Sequence, residues 1–277
     1  MSIRLSIILP SCNEVDLENT IKSLQESTKQ QIEIIVVDDC STLAIQGASI
    51  RNPQRLGATM SRQLGASKAQ GEFLMFPDAH MRFPVGVLDR LLDIAAETKG
   101  FAYCKCNSSC GADLKLKPDG LLYAVWTRVT APVRTTTAMM GANYVIHRDI
   151  LDKMGGWVGL PGFLGSQELA MSIISERHGV PKTVDSTVSV WHEFRQNKDL
   201  PFESDIFGFK LNIACVFRLL FSDETWHQLW KPRVAAVVGK QITEAAESPM
   251  LVDYGKQLRS LFTVSEESFI QRFTQEA

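Results

Sequence analysis

The chain has 277 residues, 45% of them hydrophobic and 22% charged, which supplies core enough for one large domain or two small ones of ordinary globular composition. Its 29 basic and 31 acidic side chains leave a formal charge of -2, so no global basic field holds nucleic acid. Met1 to Arg4 runs directly into a strand-like LSIILP, leaving no room for a secretory leader, and no stretch of about 18 apolar residues offers a membrane span.

Leu5 to Pro10 reads as a first apolar strand. Asn13 is placed to cap a helix whose apolar positions Leu17, Ile21 and Leu24 fall at helical spacing. Ile32 to Val37 is a β-branched second strand, ending at Asp38-Asp39-Cys40-Ser41-Thr42. Strand, helix and parallel strand begin a doubly wound sheet, where a strand-end Asp suits a ribose hydroxyl or a base N–H. No GxGxxG follows the first strand, which argues against an ordinary dinucleotide site. Ala58 to Ala69 is a helix carrying Arg62, and Val87 to Thr98 a helix with a broad apolar face.

Between them, Gly71 to Arg82 reads GEFLMFPDAHMR. The unbroken run Phe73-Leu74-Met75-Phe76 is that of a strand covered on both faces, and Pro77 stops it. Asp78 and His80 then share one side of an extended segment at the carboxyl end of a buried strand, within reach of one divalent cation, and Ala79 leaves room for a substrate.

Residues 101 to 140 change character, with Asn107-Ser108-Ser109 and Lys117-Pro118-Asp119-Gly120 suggesting loops and strand edges. Cys104, Cys106 and Cys110 lack the second knuckle of a structural zinc site and read as buried or loop thiols, so a reducing cytoplasm is the expected location. Gly141 to Ile146 is a further strand and His147 to Met154 a short helix ended by Gly155-Gly156. Trp157 to Gly165 reads as a flexible glycine-rich loop over a site, Gln167-Glu168 opens a helix, and Val184 to Trp191 is a strand leading to His192-Glu193-Phe194-Arg195. Ile206 to Phe221 is a strongly apolar helix, expected to pack on the sheet or on a subunit partner, with a helical tail from about Val234.

Three motifs recur here in one order: VDDCS after the second strand, FLMFPDAH after the third, and GANYVIHRDIL followed by GGW and an acid-bearing helix. Over residues 3 to 200 this resembles the family 2 glycosyltransferases of the GT-A fold. Asp78-Ala79-His80 and HEFR at His192 to Arg195 are similar to the D-x-H and H-x-F-R of the polypeptide N-acetylgalactosaminyltransferases. The resemblance implies an α/β fold with a Rossmann-like, mixed, mostly parallel sheet flanked by helices. It divides into a catalytic domain at 1–200, with a nucleotide-binding half at 1–100 and an acceptor-side half at 101–200, and a helical C-terminal extension at 201–277.

It further implies Asp78, His80 and His192 as metal ligands. That nitrogen and oxygen set suits Mn2+ or a similar cation better than Mg2+ or Ca2+. Asp38 or Asp39 would hold uracil and ribose, with Pro10, Arg62, Asp78 and Ala79 on the donor side. Glu168 would be the general base of an inverting enzyme, one methylene longer than the usual Asp; the D-x-H and H-x-F-R features favour retention instead, and the two stay unresolved. The expected activity is transfer of a sugar from a nucleotide-sugar donor, a UDP-sugar such as a UDP-N-acetylhexosamine, to a hydroxyl on a protein, a glycan or a modified DNA base, the last unsupported by the charge. Its rivals are a nucleotidyltransferase, which normally shows a basic glycine-rich signature where this chain has PSCNEVD, and a non-catalytic nucleotide-sugar binding module.

Overall fold

Three apolar runs near the N-terminus form adjacent strands in one half of a nine-stranded sheet. The computed structural model describes residues 3–196, 199–203 and 205–274, so Met1 and Ser2 of the lead-in lie outside it. Strand β1 (Leu5–Ser11), helix α1 (Leu17–Glu26) and β2 (Ile32–Asp38) make a parallel unit in register from Leu5↔Ile32 to Ser11↔Asp38. The two-residue β3 (Ile50–Arg51) extends it beside β2. Helix α2 (Ala58–Ala66) then returns the chain to β4 (Phe73–Pro77), parallel to β1 on its other side.

All five residues of β4 are buried, as a strand covered on both faces requires. Alternation divides them: Leu74 and Phe76 join Ile8 in one core, while Phe73 and Met75 join Ile7 and Leu9 in the other.

After β4 come β5 (Met81–Arg82), α3 (Val87–Thr98) and β6 (Phe101–Cys106). Residues 101 to 140 hold more strand than their turn-rich sequence promises, with a separate hairpin of β7 (Ala112–Leu116) and β8 (Leu122–Trp126), then β9 (Val133–Thr136). Strand β10 (Asn143–His147) runs antiparallel between β4 and β6; α4 (Arg148–Lys153), α5 (Gln167–Arg177) and the long β11 (Lys182–His192) follow. The order is β3-β2-β1-β4-β10-β6-β11-β5, with β9 also on β11. Strands β1 to β4, β6 and β11 run one way, and β5, β9 and β10 the other.

The C-terminal helices are part of the same body. Helix α6 (Ile206–Leu220) buries Ala214 to Phe217, Leu219 and Leu220 in the core that holds Tyr144, Trp157 and Ile173, and the Phe217 and Phe221 rings lie tilted against Trp230 at 4.6 and 5.0 Å. Around it lie α7 (Asp223–Thr225), a π-helical turn at Trp226–Trp230, α8 (Lys231–Val238), α9 (Lys240–Ala245), α10 (Pro249–Ser260) and α11 (Glu266–Thr274). No helix among the described residues is long and apolar enough to cross a membrane.

Two expectations need correction. Asn13 caps nothing: it sits at φ 53°, accepts from the Thr42 N–H at 2.7 Å and donates to the Pro201 carbonyl at 3.2 Å, and Asp16 is the residue before α1. The glycine-rich loop after Trp157 is pinned rather than loose. Trp157 is buried with its ring stacked on Phe76 at 4.1 Å, and the Asn212 amide of α6 bonds both the N–H and the carbonyl of Gly162 at 2.7 and 3.0 Å.

Candidate functional site

Parallel pairing of β2, β1 and β4 brings three carboxyl ends together, and the chain leaving β4 turns straight into β5. Strand β5 pairs antiparallel with the end of β11, setting Met81 against His192, so the pairing itself carries His192 to the Asp78-Ala79-His80 turn. The His80 and His192 rings lie 4.8 Å apart between centroids. Asp78, His80 and His192 each offer one ligand atom, all within 4.8 Å of one another. They open onto a cavity of about 270 Å3 lined also by Pro10, Glu14, Asp39, Ala79, Gln167 and Arg195.

Asp78 is held from behind. Its Oδ1 accepts from Nη2 of the fully buried Arg62 at 2.5 Å, and its Oδ2 faces His192 Nε2 at 3.1 Å. Burial alone would raise this carboxyl, but the Arg62 charge and the two imidazoles outweigh it and keep it well below the usual carboxylate range. His80 is raised in spite of burial, because its Nδ1 faces Glu14 at 3.1 Å and Asp78 adds negative charge. Glu14 falls to about 2, its burial outweighed by hydrogen bonds from His80 and Arg195.

The two aspartates after β2 part company. Asp39 lines the cavity, and its carboxylate accepts from the N–H groups of Leu56 and Gly57, both at 2.8 Å, and from the Asn52 amide at 2.8 Å. Asp38 is fully buried, is not among the lining residues, and accepts from Ser41 N at 2.8 Å, Ile45 N at 3.1 Å and Arg51. Gly57 has φ +84°, and a Cβ there would meet the Phe163 backbone at 2.4 Å, so only glycine lets these loops close at the cavity rim.

Of the other residues singled out in the sequence, Arg62 reaches the site only through Asp78, with its guanidinium 5.7 Å over the Trp157 ring. Glu168 sits behind the wall, Oε1 3.5 Å from the Tyr144 hydroxyl, while its neighbour Gln167 lines the cavity. Burial raises the Glu168 carboxyl, and Arg62 offsets part of that. Four contributors escaped the sequence reading: Glu14, Gln167, Arg195 as a partner of Glu14, and Arg55, whose guanidinium stacks between Phe163 at 4.2 Å and Phe202 at 4.0 Å. Only Arg195 had a signal, its place in HEFR; the rest are met by contacts between segments far apart in sequence.

Residues 6–154 match the Glycosyl transferase family 2. An "Uncharacterized glycosyltransferase" of Haemophilus influenzae is 23% identical over 205 residues, 67% of this chain and 67% of that protein. "Probable N-acetylgalactosaminyltransferase 6" of Caenorhabditis elegans is 25% identical over 268 residues, 82% of this chain but 42% of that protein. GalNAc-T7, solved with UDP, GalNAc and Mn2+, superposes with a TM-score of 0.70 at 18% identity over 98% of this chain and 56% of its own. TarS 1-349 of S. aureus in complex with UDP-GlcNAc gives 0.55 at 14% identity, over 98% and 93%. The chain thus spans about half the length of the two N-acetylgalactosaminyltransferase-type relatives.

Proposed function

The chain belongs to glycosyl transferase family 2 and has the GT-A fold, and from that premise we propose that it moves a sugar, taken here as an N-acetylhexosamine, from a UDP donor to a hydroxyl acceptor with the help of a divalent cation. The observation that carries this is the convergence of Asp78, His80 and His192 within 4.8 Å at the mouth of a cavity formed by parallel strand ends. Support comes from the solved relatives that hold UDP, GalNAc and Mn2+ in one case and UDP-GlcNAc in the other.

The donor set fits a cation of the Mn2+ kind. Asp78 has one oxygen committed to Arg62 and the other turned to His192, and His80 has Nδ1 committed to Glu14, so each residue keeps one ligand atom for the same space. Held by Asp78, His80 and His192, such a cation would supply charge neutralisation for the diphosphate leaving group. The chain's own residues position the rest. Pro10 and Asp39 wall the nucleotide end, Asp38 being spent on its own loop, and Ala79 leaves space beside the ligand residues. Glu168, the base candidate from the sequence, stands behind the cavity wall with Oε1 3.5 Å from the Tyr144 hydroxyl, so Glu168→Gln decides its role: a fall in kcat of about 10²–10⁴-fold with UDP affinity kept would make it the acceptor base of an inverting enzyme, and an unchanged kcat would fit retention. All six cysteines are free thiols, which supports placement in a reducing cytoplasm.

Calorimetric titration with UDP, with and without Mn2+, on the wild type and His192→Ala tests the reading. Tight binding that needs both metal and His192 is expected, followed by hydrolysis of one UDP-sugar in a panel. Equal binding without metal would remove the cation site, and tight binding with no turnover of any sugar donor would leave a binding module. Absence of UDP binding would favour another nucleotide or nucleotidyl transfer.

A further inference from the structure

Glu14 lies just past β1, and its carboxylate is nearly buried, at 5% exposure. Oε2 lies 3.1 Å from His80 Nδ1 and accepts from Arg195 Nη1 at 2.7 Å, while Oε1 accepts from Arg195 Nη2 at 2.9 Å and from the Asp16 N–H at 3.2 Å. Arg195 is itself held by Glu193 at 2.5 Å. A buried carboxylate so fully occupied points at a fixed geometry rather than at a ligand of its own.

An ionised carboxylate only accepts hydrogen bonds, so the His80 nitrogen facing Glu14 is the one bearing hydrogen, and in the neutral imidazole that a metal requires, Nε2 is the nitrogen with the lone pair. Nε2 is the atom left to face the space shared with Asp78 and His192. The same contact stops the ring from flipping. Arg195 grips both oxygens of Glu14 in a planar fork, which sets the carboxylate's orientation and ties the chain after β1 to the chain after β11. Glu14 thereby touches both segments that carry the histidines: residue 80 directly, and residue 192 through the arginine three positions on.

We propose that Glu14 is a positioning residue for the cation site: it accepts from His80 Nδ1 and so presents Nε2 to a divalent metal, with Arg195 fixing its carboxylate. The proposal rests on the Asp78, His80 and His192 reading above and adds the group that orients one of its ligands. Outer-shell partners of this kind change metal affinity by about 10–100-fold when removed. A plain structural ion pair between Glu14 and Arg195 would affect stability and leave the imidazole tautomer alone.

The test uses the full chain as wild type, Glu14→Ala, Glu14→Gln and His80→Ala, with two readouts. Long-range 1H–15N spectra of the metal-free protein report the His80 tautomer; electron paramagnetic resonance titration with Mn2+ in the presence of UDP reports metal affinity. The expected result is an Nδ1–H tautomer in the wild type that shifts toward Nε2–H in Glu14→Ala, with Mn2+ held about 10–100-fold more weakly. Glu14→Gln, whose amide oxygen still accepts, should fall between the two, and it keeps the question open to measurement should the alanine variant fold poorly. An unchanged tautomer in Glu14→Ala, or Mn2+ affinity equal to the wild type, would overturn the proposal. Undiminished Mn2+ affinity in His80→Ala would instead overturn the cation reading, and a tautomer that still depends on Glu14 would show that the hydrogen bond had been assigned correctly.

Discussion

Strands β2 and β4 both end in aspartates beside the same cavity, and the two ends use their charge in opposite ways. After β2, Asp38 and Asp39 spend their carboxylates on backbone N–H groups of the loops at 41–45 and 56–57, so the negative charge closes the chain on itself. After β4, Asp78 meets no backbone donor of a loop; it meets a buried guanidinium on one side and two imidazoles on the other. One end builds the wall, and the other keeps a charged face toward the cavity. Carboxylate count at a strand end is therefore a poor guide to chemistry, and the identity of the donors facing it is a good one.

The sharpest attempt to break this contrast is Asp78→Ala. Transfer should drop by about 10³-fold, as the loss of several kcal/mol of charge stabilisation at a metal site implies. The variant should also lose about 3–5 kcal/mol of stability, because Arg62 is fully buried and its Nε and Nη1 have no partner among the described residues. Adding Arg62→Met to Asp78→Ala separates the two effects: urea unfolding should recover much of the stability while activity stays lost. Recovery of activity with stability would mean that Asp78 acts only by neutralising Arg62.

At the other end, Asp38→Ala orphans the N–H groups of Ser41 and Ile45 and frees Arg51. Each buried donor left unpaired costs about 1–3 kcal/mol, so a loss of about 2–4 kcal/mol in urea unfolding is expected, with kcat at saturating donor unchanged. A fall in kcat without a fall in stability would place Asp38 in the chemistry and erase the contrast. Ligand linkage sharpens it further. At a fixed Mn2+ concentration, UDP at about 100 times its Kd should stabilise the wild type and Asp38→Ala alike by about 2.7 kcal/mol, and His192→Ala by much less, read as thermal shifts.

The contrast also marks how far the sequence could be read. The apolar runs at Ile7 to Leu9 and Phe73 to Phe76 announced buried parallel strands because nothing but double-sided cover tolerates them. Asp78 and His80 announced themselves by position at such a strand's end, and His192 by the HEFR resemblance. The difference between Asp38 and Asp39 was not legible. Adjacent residues of a strand end point to opposite sides, and which side faces the cavity depends on loop closures reaching to Gly57 and Phe163. The strands of residues 101 to 140 were hidden for a similar reason: β7 buries only Ala112 and Leu114 of its five residues, too few to stand out among Asn, Ser and Gly turns. The apolar helix after Ile206 was plain, but its Asn212 gave no sign that it would hold the glycine-rich loop in place.

The smallest expected effect is a pH dependence that belongs to Asp38. Burial pushes its carboxyl up, but the Ser41 and Ile45 N–H groups and Arg51 outweigh that and bring it below the ordinary range. The unfolded chain takes up a proton near the ordinary Asp value of about 3.9, before the folded chain does. The stabilisation is therefore complete at neutral pH, shrinks as pH falls through that value, and is lost once pH passes the folded carboxyl's own lower value. Asp38→Asn carries no such proton. The Tm gap between wild type and Asp38→Asn should hold level from about pH 8 to pH 5 and narrow between about pH 5 and pH 3. A gap that stays constant over the whole range would mean that the ionised carboxylate is not what the loop donors hold, and that the wall at β2 stands on shape rather than on charge.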